Sequence, residues 1–118
     1  MPATKASKIL LVSQALAAAA SVNATEWNMS AAYAGRGFVR ITNGAVAPTT
    51  APVVKFFSGE ATGIKRLLYT ASGDTVANSV NDIPCSYDLA DMFANITIIN
   101  GATNAVTVEA YGQEASGL

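Results

Sequence analysis

The chain has 118 residues, of which 51% are hydrophobic and only 13% charged, and it contains no histidine. Its net charge of −1 and its scattered basic residues, of which only Lys65 and Arg66 are adjacent, argue against a nucleic-acid partner. Because a globular domain usually carries about a quarter charged residues, part of the apolar surface is expected to lie outside the core and to contact other chains. Composition therefore favours a structural building block over an enzyme.

Residues 1–8 are predicted to form an N-terminal arm, and residues 9–118 a single β-sandwich domain. The arm contains Lys5 and Lys8 but little hydrophobic material, so we expect its two cations to meet carboxylates on a partner. The apolar segment that follows resembles a secretory signal, but polar residues interrupt it and it is too short to span a bilayer. We therefore expect neither a signal peptide nor a membrane partner.

Apolar and polar residues alternate along the chain, and turn residues recur at intervals of roughly ten residues, a spacing typical of sandwiches and barrels. This pattern predicts an all-β fold, a single antiparallel sandwich of jelly-roll or immunoglobulin-like topology. The alanine-rich end of the first strand is equally compatible with a helix. The predicted strands comprise residues 8–16, 25–30, 38–42, 53–57, 64–71, 76–80, 94–99 and 105–111.

Glycine and proline divide the first half of the chain. Residues 35–37, with the sequence Gly-Arg-Gly, are predicted to form a turn, after which Val39 and Ile41 are expected on one face of a strand. Pro48 and Pro52 are predicted to hold an extended loop, since proline cannot donate a hydrogen bond within a central strand.

The later strands carry two further signals. Residues 53–57 are nearly all apolar, which is typical of a strand covered on both faces. Residues 94–99 and 105–111 are predicted to pair as a hairpin across residues 100–104. Three side chains of its second strand are expected to face one way: Val106, Val108 and Ala110.

One short helical turn is predicted at residues 87–93, capped by Ser86 or Asp88. Asp88 and Asp91 lie one helical turn apart and could share a metal ion or a proton, but they more simply cap and solvate this turn. The single cysteine, Cys85, permits neither an internal disulfide nor a multi-cysteine zinc site and is expected to be a small buried apolar group. With no histidine to act as a base, we predict no catalytic residue, no cofactor and no metal site.

Aromatic residues indicate where partners bind. The adjacent side chains of Phe56 and Phe57 must point to opposite faces of a strand, so one of them is expected to face a partner chain. Together with Tyr33, Lys5 and Lys8 they form the predicted interface. The aromatic residues are also compatible with a sugar-binding platform, which leaves a carbohydrate- or receptor-binding module of a virion fibre or adhesin as the alternative function.

Three segments carry a resemblance to a known family: residues 39–44 (VRITNG), 52–57 (PVVKFF) and 98–110 (IINGATNAVTVEA). Through them the chain resembles the small capsid cement (decoration) proteins of tailed bacteriophages. The likeness extends over residues 7–114.

The resemblance implies a compact β domain that is made in the host cytoplasm and sits on the outside of the virion capsid. Its partner would be the major capsid protein, and it would bridge neighbouring capsomers as a homo-oligomer, most often a trimer. No catalytic residue is implied. The same residues are also compatible with a head-fibre or tail-adaptor domain.

Overall fold

The computed structural model describes residues 4–5, 8–30, 34–87 and 92–116. The regular secondary structure of these residues consists of β-strands, and none of them lies in a helix. The predicted all-β class is therefore confirmed. The strands are Thr4–Lys5 (β1), Ile9–Leu16 (β2), Ser21–Asn23 (β3), Trp27–Asn28 (β4), Ala34–Asn43 (β5), Val53–Gly59 (β6), Arg66–Ser72 (β7), Val80–Tyr87 (β8), Phe93–Ile99 (β9) and Val106–Ser116 (β10).

The strands form two antiparallel sheets that pack face to face as a sandwich. In the first sheet, β10 lies between β5 and an edge made by β1 and β2, and β8 is the opposite edge. In the second, β9 lies between β6 and an edge made by β3 and β4, and β7 is the opposite edge. Each of the pairs β1–β2 and β3–β4 is one interrupted edge strand, because both halves pair with the same neighbour.

The pairings are nested along the chain. The first edge (β1 and β2) pairs with β10, the second (β3 and β4) with β9, β5 with β8, and β6 with β7. This is one long antiparallel hairpin rolled so that β10 also meets β5 and β9 also meets β6. Of the two topologies that the sequence left open, this nesting is that of a jelly roll.

Inward-facing apolar side chains of the inner strands make the core. Val39 and Ile41 share one fully buried face of β5, as predicted. The predicted face of β10 is also confirmed, since all three of its apolar side chains are buried. The segment 53–57 is not covered on both faces, because its residues alternate between buried and half-buried and none of the described strands forms a layer over the outer face of its sheet. The largest fully buried apolar side chains are Phe56, Ile41, Ile96, Ile98, Val39, Val54 and Val108.

The predicted terminal hairpin is wrong, because β9 and β10 lie in different sheets. The side chain of Asn100 explains the crossing between them. Its Nδ2 donates to the carbonyl oxygens of Leu16 and Ala17, both at 3.1 Å, and of Asn104 at 2.8 Å. Its Oδ1 accepts the N–H of Gly101 at 2.7 Å. The loop is therefore tied to the end of β2, and not closed as a hairpin turn.

The predicted strand at residues 76–80 is also wrong, because a loop occupies most of it and β8 begins only at Val80. Asn43, at the end of β5, holds this loop by donating from Nδ2 to Asp74 Oδ1 and to the Val76 carbonyl, both at 2.9 Å. Asp74 in turn accepts from the hydroxyl of Ser79 at 2.7 Å. The backbone N–H and carbonyl of Val76, which would pair with a neighbouring strand if residues 76–80 formed one, are bonded instead to the side chains of Asp74 and Asn43.

Two further predictions concern the connecting segments. Pro48 and Pro52 lie in the loop between β5 and β6, as predicted. The predicted helical turn at residues 87–93 is bounded by strands, since Tyr87 ends β8 and Phe93 begins β9. Its central residues, 88–91, lie outside the described residues.

The predicted turn at Gly35 and Gly37 is instead part of β5. These glycines make room for aromatic rings that lie between the sheets. A Cβ on Gly35 would come within 2.9 Å of the ring of Trp27, and one on Gly37 within 3.0 Å of the ring of Tyr87. On β10, a Cβ on Gly112 would come within 2.7 Å of Trp27. A glycine in the interior of a strand often marks such a close approach.

Replacing Gly112 with alanine should destabilise the fold, because the added methyl group has no space beside the Trp27 ring. We expect Gly112→Ala to lower the free energy of unfolding by about 1–3 kcal/mol, the usual cost of overpacking. Urea denaturation measures this difference. Gly44→Ala is the matched control, since a Cβ at Gly44 meets nothing within 4 Å. Equal stability of the two variants would contradict the account.

Candidate interaction surface

Strand β7 exposes large apolar side chains on the edge of the second sheet. The exposed fractions are 58% for Leu67, 46% for Leu68 and 49% for Tyr69, and 42% for Ile64 just before the strand. Every residue from 61 to 70 is exposed. We call Ile64, Leu67, Leu68 and Tyr69 the β7 patch.

The pairing of β6 with β7 places the patch. Phe56 lies opposite Tyr69 and Phe57 opposite Leu67, so Leu68 is an extra residue in a β-bulge. A bulge bends its strand and increases the local twist. The rings of Phe56 and Tyr69 stack with their centroids 6.1 Å apart, which anchors one face of β7 to the core while the rest of the strand stays outside.

The other sheet edges in the described part of the chain carry features that hinder the addition of a further strand. Strand β8 contains Pro84, which lacks a backbone N–H. The edge made by β1 and β2 is interrupted and has a bulge at Leu11, and the edge made by β3 and β4 is interrupted. Between residues 67 and 72, β7 has neither a proline nor a charged residue. Strand β7 has a bulge of its own at Leu68, but its seven residues are continuous and it exposes three consecutive large apolar side chains, against two on β2.

The loop that leads into β7 is held by a carboxylate. Glu26 Oε2 accepts hydrogen bonds from Asn95 Nδ2 at 3.0 Å and from the backbone N–H of Gly63 at 3.2 Å. The pKa of Glu26 is lowered below its ordinary value, chiefly by the hydrogen bond from Asn95 and then by that from Gly63. The positive charge of Lys65 makes a smaller contribution in the same direction. Ionised Glu26 thus fixes the start of the patch against β9.

The residues of the predicted interface are not brought together. Phe56 is fully buried in the core, whereas Phe57 is half-buried on the opposite face, beside Leu67 of the β7 patch. The backbone of Lys5 pairs with that of Ala115 at the end of β10, so this part of the arm lies on its own domain. Tyr33 lies outside the described residues.

The sequence itself carries a signal for the β7 patch. Leu67, Leu68 and Tyr69 are three consecutive large apolar residues, and successive residues of a strand face opposite sides. Such a strand has two apolar faces and must be covered on both, either inside a sheet or by another chain. Deciding between these cases requires the topology.

Lys8, the remaining predicted interface residue, lies on the outer face of the first sheet. Its Nζ is 5.0 Å from the centroid of the Phe38 ring and 5.8 Å from that of Tyr111. The two half-buried rings, which we call the aromatic platform, are 5.5 Å apart. The hydroxyl of Tyr111 donates to Glu109, which raises the pKa of Tyr111.

A bidentate ion pair lies in the next row of the same face. Arg40 Nε donates to Asp82 Oδ1 at 2.8 Å, and its Nη2 donates to Oδ2 at 3.2 Å. The hydrogen bonds from Arg40 lower the pKa of Asp82. About half of each side chain is exposed, so the pair is screened by solvent and adds little to stability.

Among residues 8–30, 34–87 and 92–114, where side chains are described, no three His, Cys, Asp or Glu side chains lie together so that they could hold a metal ion. Cys85 is buried, as predicted. The pair Asp88 and Asp91 lies outside the described residues. A depression of about 230 Å³ at the ends of β2, β5 and β10 is lined by residues without titratable side chains. Within the described residues, no helix is long and apolar enough to cross a membrane.

Comparison with known proteins gives no match, either to a protein-family model or to a curated protein sequence.

Replacing Glu26 with glutamine should loosen the loop before β7. The neutral amide is a weaker acceptor than the carboxylate, so we expect the Gly63 amide hydrogen to exchange with solvent several-fold faster in Glu26→Gln. Hydrogen exchange followed by NMR at neutral pH measures this rate. Glu60→Gln removes a carboxylate from the same loop without touching this bond, and its Gly63 exchange should match the parent.

The same carboxylate should make stability depend on pH. Because the pKa of Glu26 is lowered in the folded state, its stabilising effect is complete above the unfolded-state pKa and is lost as the pH falls through the folded-state pKa. Urea denaturation over a series of acidic pH values should therefore show a steeper loss of stability in the parent than in Glu26→Gln. Parallel curves for the two proteins would argue against this role.

Proposed function

We propose that the chain is a non-enzymatic structural protein of a virion, a cement (decoration) subunit that binds the outer capsid shell and stabilises contacts between capsomers. The β7 patch carries this proposal. Exposed large apolar side chains in one contiguous segment are typical of a surface that contacts other protein chains. The composition, with its low charged fraction, supports the same conclusion.

Contacts at both ends of the sandwich hold the two sheets and their loops together, which suits a structural subunit. At one end of the sandwich, Asn43 and Asn100 tie strand ends to neighbouring loops through buried side-chain amides. At the other end, aromatic rings fill the space between the sheets. Jelly rolls occur in viral capsid proteins and also in lectins and cupins, so the fold is compatible with the proposal without selecting it.

The partners follow from the same proposal. The major capsid protein is the partner on the shell, and the subunit also associates with copies of itself. Nucleic acid and membrane are not partners in this proposal, and no cofactor takes part. Lys5 and Lys8 supply cations for carboxylates on the shell, since Lys8 is exposed at the surface of the first sheet.

A second function, carbohydrate binding by a virion fibre or adhesin module, is favoured by the aromatic platform. Half-buried rings beside charged side chains such as Arg40, Asp82 and Glu109 offer both a stacking surface and hydrogen-bonding groups for a sugar. The ammonium of Lys8 covers both rings, however, and must move before a sugar can stack on them.

Binding to empty shells separates the two functions. Shells assembled from the major capsid protein of the same genome should bind the purified chain in cosedimentation, and their melting temperature should rise. A carbohydrate module should instead bind immobilised glycans as an isolated protein and should lose that binding in Phe38→Ala. Failure to cosediment with shells, combined with glycan binding, would replace the first proposal with the second.

Removing the two cations of the arm should weaken shell binding. We expect Lys5→Ala/Lys8→Ala to bind shells about tenfold more weakly, which corresponds to about 1.4 kcal/mol. Its melting temperature in isolation should stay close to that of the parent, because surface charges add little to stability. Arg36→Ala/Lys55→Ala removes an equal charge from positions outside the arm and outside the β7 patch and is the matched control. An equal loss of shell affinity in both double variants would show that binding depends on net charge and not on the arm.

A further inference from the structure

The outer side of β7 presents backbone groups that another strand can pair with. Among the described residues, β7 is paired on one side only, with β6. An exposed edge of this kind is a template for a strand from another chain unless proline, charge or interruption blocks it. Residues 67–72 contain neither proline nor a charged residue and form one continuous strand, and their bulge at Leu68 has a counterpart in β2.

The side chains of β7 favour a strand over a globular surface as the occupant. Leu67, Leu68 and Tyr69 expose apolar area on more than one face of the strand. A neighbouring strand covers side chains on both faces at once through cross-strand contacts, which a flat surface placed on one face cannot do. The partner is therefore an extended segment with apolar side chains.

The charges near β7 point to a second copy of the same strand. Lys65 and Arg66 stand at its beginning, and Asp74, which is half-exposed, follows its end. A parallel partner of the same sequence would place like charges side by side. An antiparallel partner with Tyr69 on a twofold axis places Arg66 opposite Ser72 and brings Lys65 next to Asp74 of the other copy.

We propose that β7 pairs with β7 of a second copy in antiparallel orientation, so that the second sheet continues across two molecules. The contact is isologous and gives a twofold dimer, in contrast to the trimer expected from the family resemblance. The inference rests on the proposal that the chain works through protein contacts, but it needs no shell and is tested in solution. A dimer can therefore fail while shell binding holds, and the reverse.

The first test is the oligomeric state of the full chain by sedimentation velocity over a concentration series. We expect a reversible dimer in the parent and about a hundredfold weaker association in Leu67→Lys/Leu68→Lys, because four lysines then meet at the contact. Val76→Lys/Val80→Lys is the matched control, since it replaces two equally exposed apolar residues away from β7. Circular dichroism verifies that each variant is folded.

The results of this test are decisive in either direction. A parent that stays monomeric at tens of micromolar, or that forms a trimer, overturns the proposal. Equal weakening by the two double variants also overturns it, because the loss would then follow from added charge rather than from β7.

A second test locates the contact without disturbing charge. In a Cys85→Ala background, single cysteines at Leu68, Tyr69 and Thr70 are oxidised, and Ser86→Cys on the β8 edge serves as the control. A residue on or beside the twofold axis faces its own copy, so at least one β7 cysteine should form a disulfide-linked dimer and Ser86→Cys should not. Crosslinking at Ser86 alone, or at none of the β7 positions, rejects this pairing.

Discussion

The ring of Trp27 between the two sheets is the contact on which the closure of the sandwich depends. Strand β4, which carries it, has only two residues, yet the ring contacts three strands of the opposite sheet. It lies against the backbone of Gly35 and Gly112, meets the ring of Tyr87 edge-on at 6.0 Å, and donates from Nε1 to Glu114 Oε1 at 3.0 Å. The indole thereby buries its apolar area and still satisfies its N–H, as a buried tryptophan requires.

The local sequence pattern was sufficient to predict many of the strands and their buried faces, but not how the strands are connected. The alternation around Val39 and Ile41 predicted their burial correctly, because period-two spacing depends only on neighbouring residues. The crossing after β9 could not be predicted, since Asn100 is satisfied by carbonyls more than eighty positions away in the chain. The sequence pattern at Gly35 and Gly37 resembles a turn, because the rings that need the space, those of Trp27 and Tyr87, come beside these glycines only when β4 and β8 are in place.

The sequence predicts that the chain has exposed apolar surface, but it does not single out β7 as the place. A low charged fraction correctly indicates that apolar side chains lie outside the core. The predicted interface included the adjacent pair Phe56 and Phe57. The ring of Phe56 is fully buried in the core, and that of Phe57 is half-buried. Leu67 and Leu68 expose more area because β7 is an edge, and edge position is a property of the whole topology that no local window contains.

The rolled-hairpin topology explains why β7 is an edge strand, but it does not explain why β7 carries large apolar side chains. Strands β6 and β7 are the innermost pair of the nest, and the chain then crosses to the first sheet at β8. Within the described part of the chain, no strand therefore lies along the outer side of β7. On β7, Ala71 packs against the core cluster and the Tyr69 ring stacks on Phe56, whereas Leu67 and Leu68 are exposed. Folding of the isolated domain therefore requires little from Leu67 and Leu68, whose exposure is costly in water. The proposed pairing of β7 with a second copy accounts for their size.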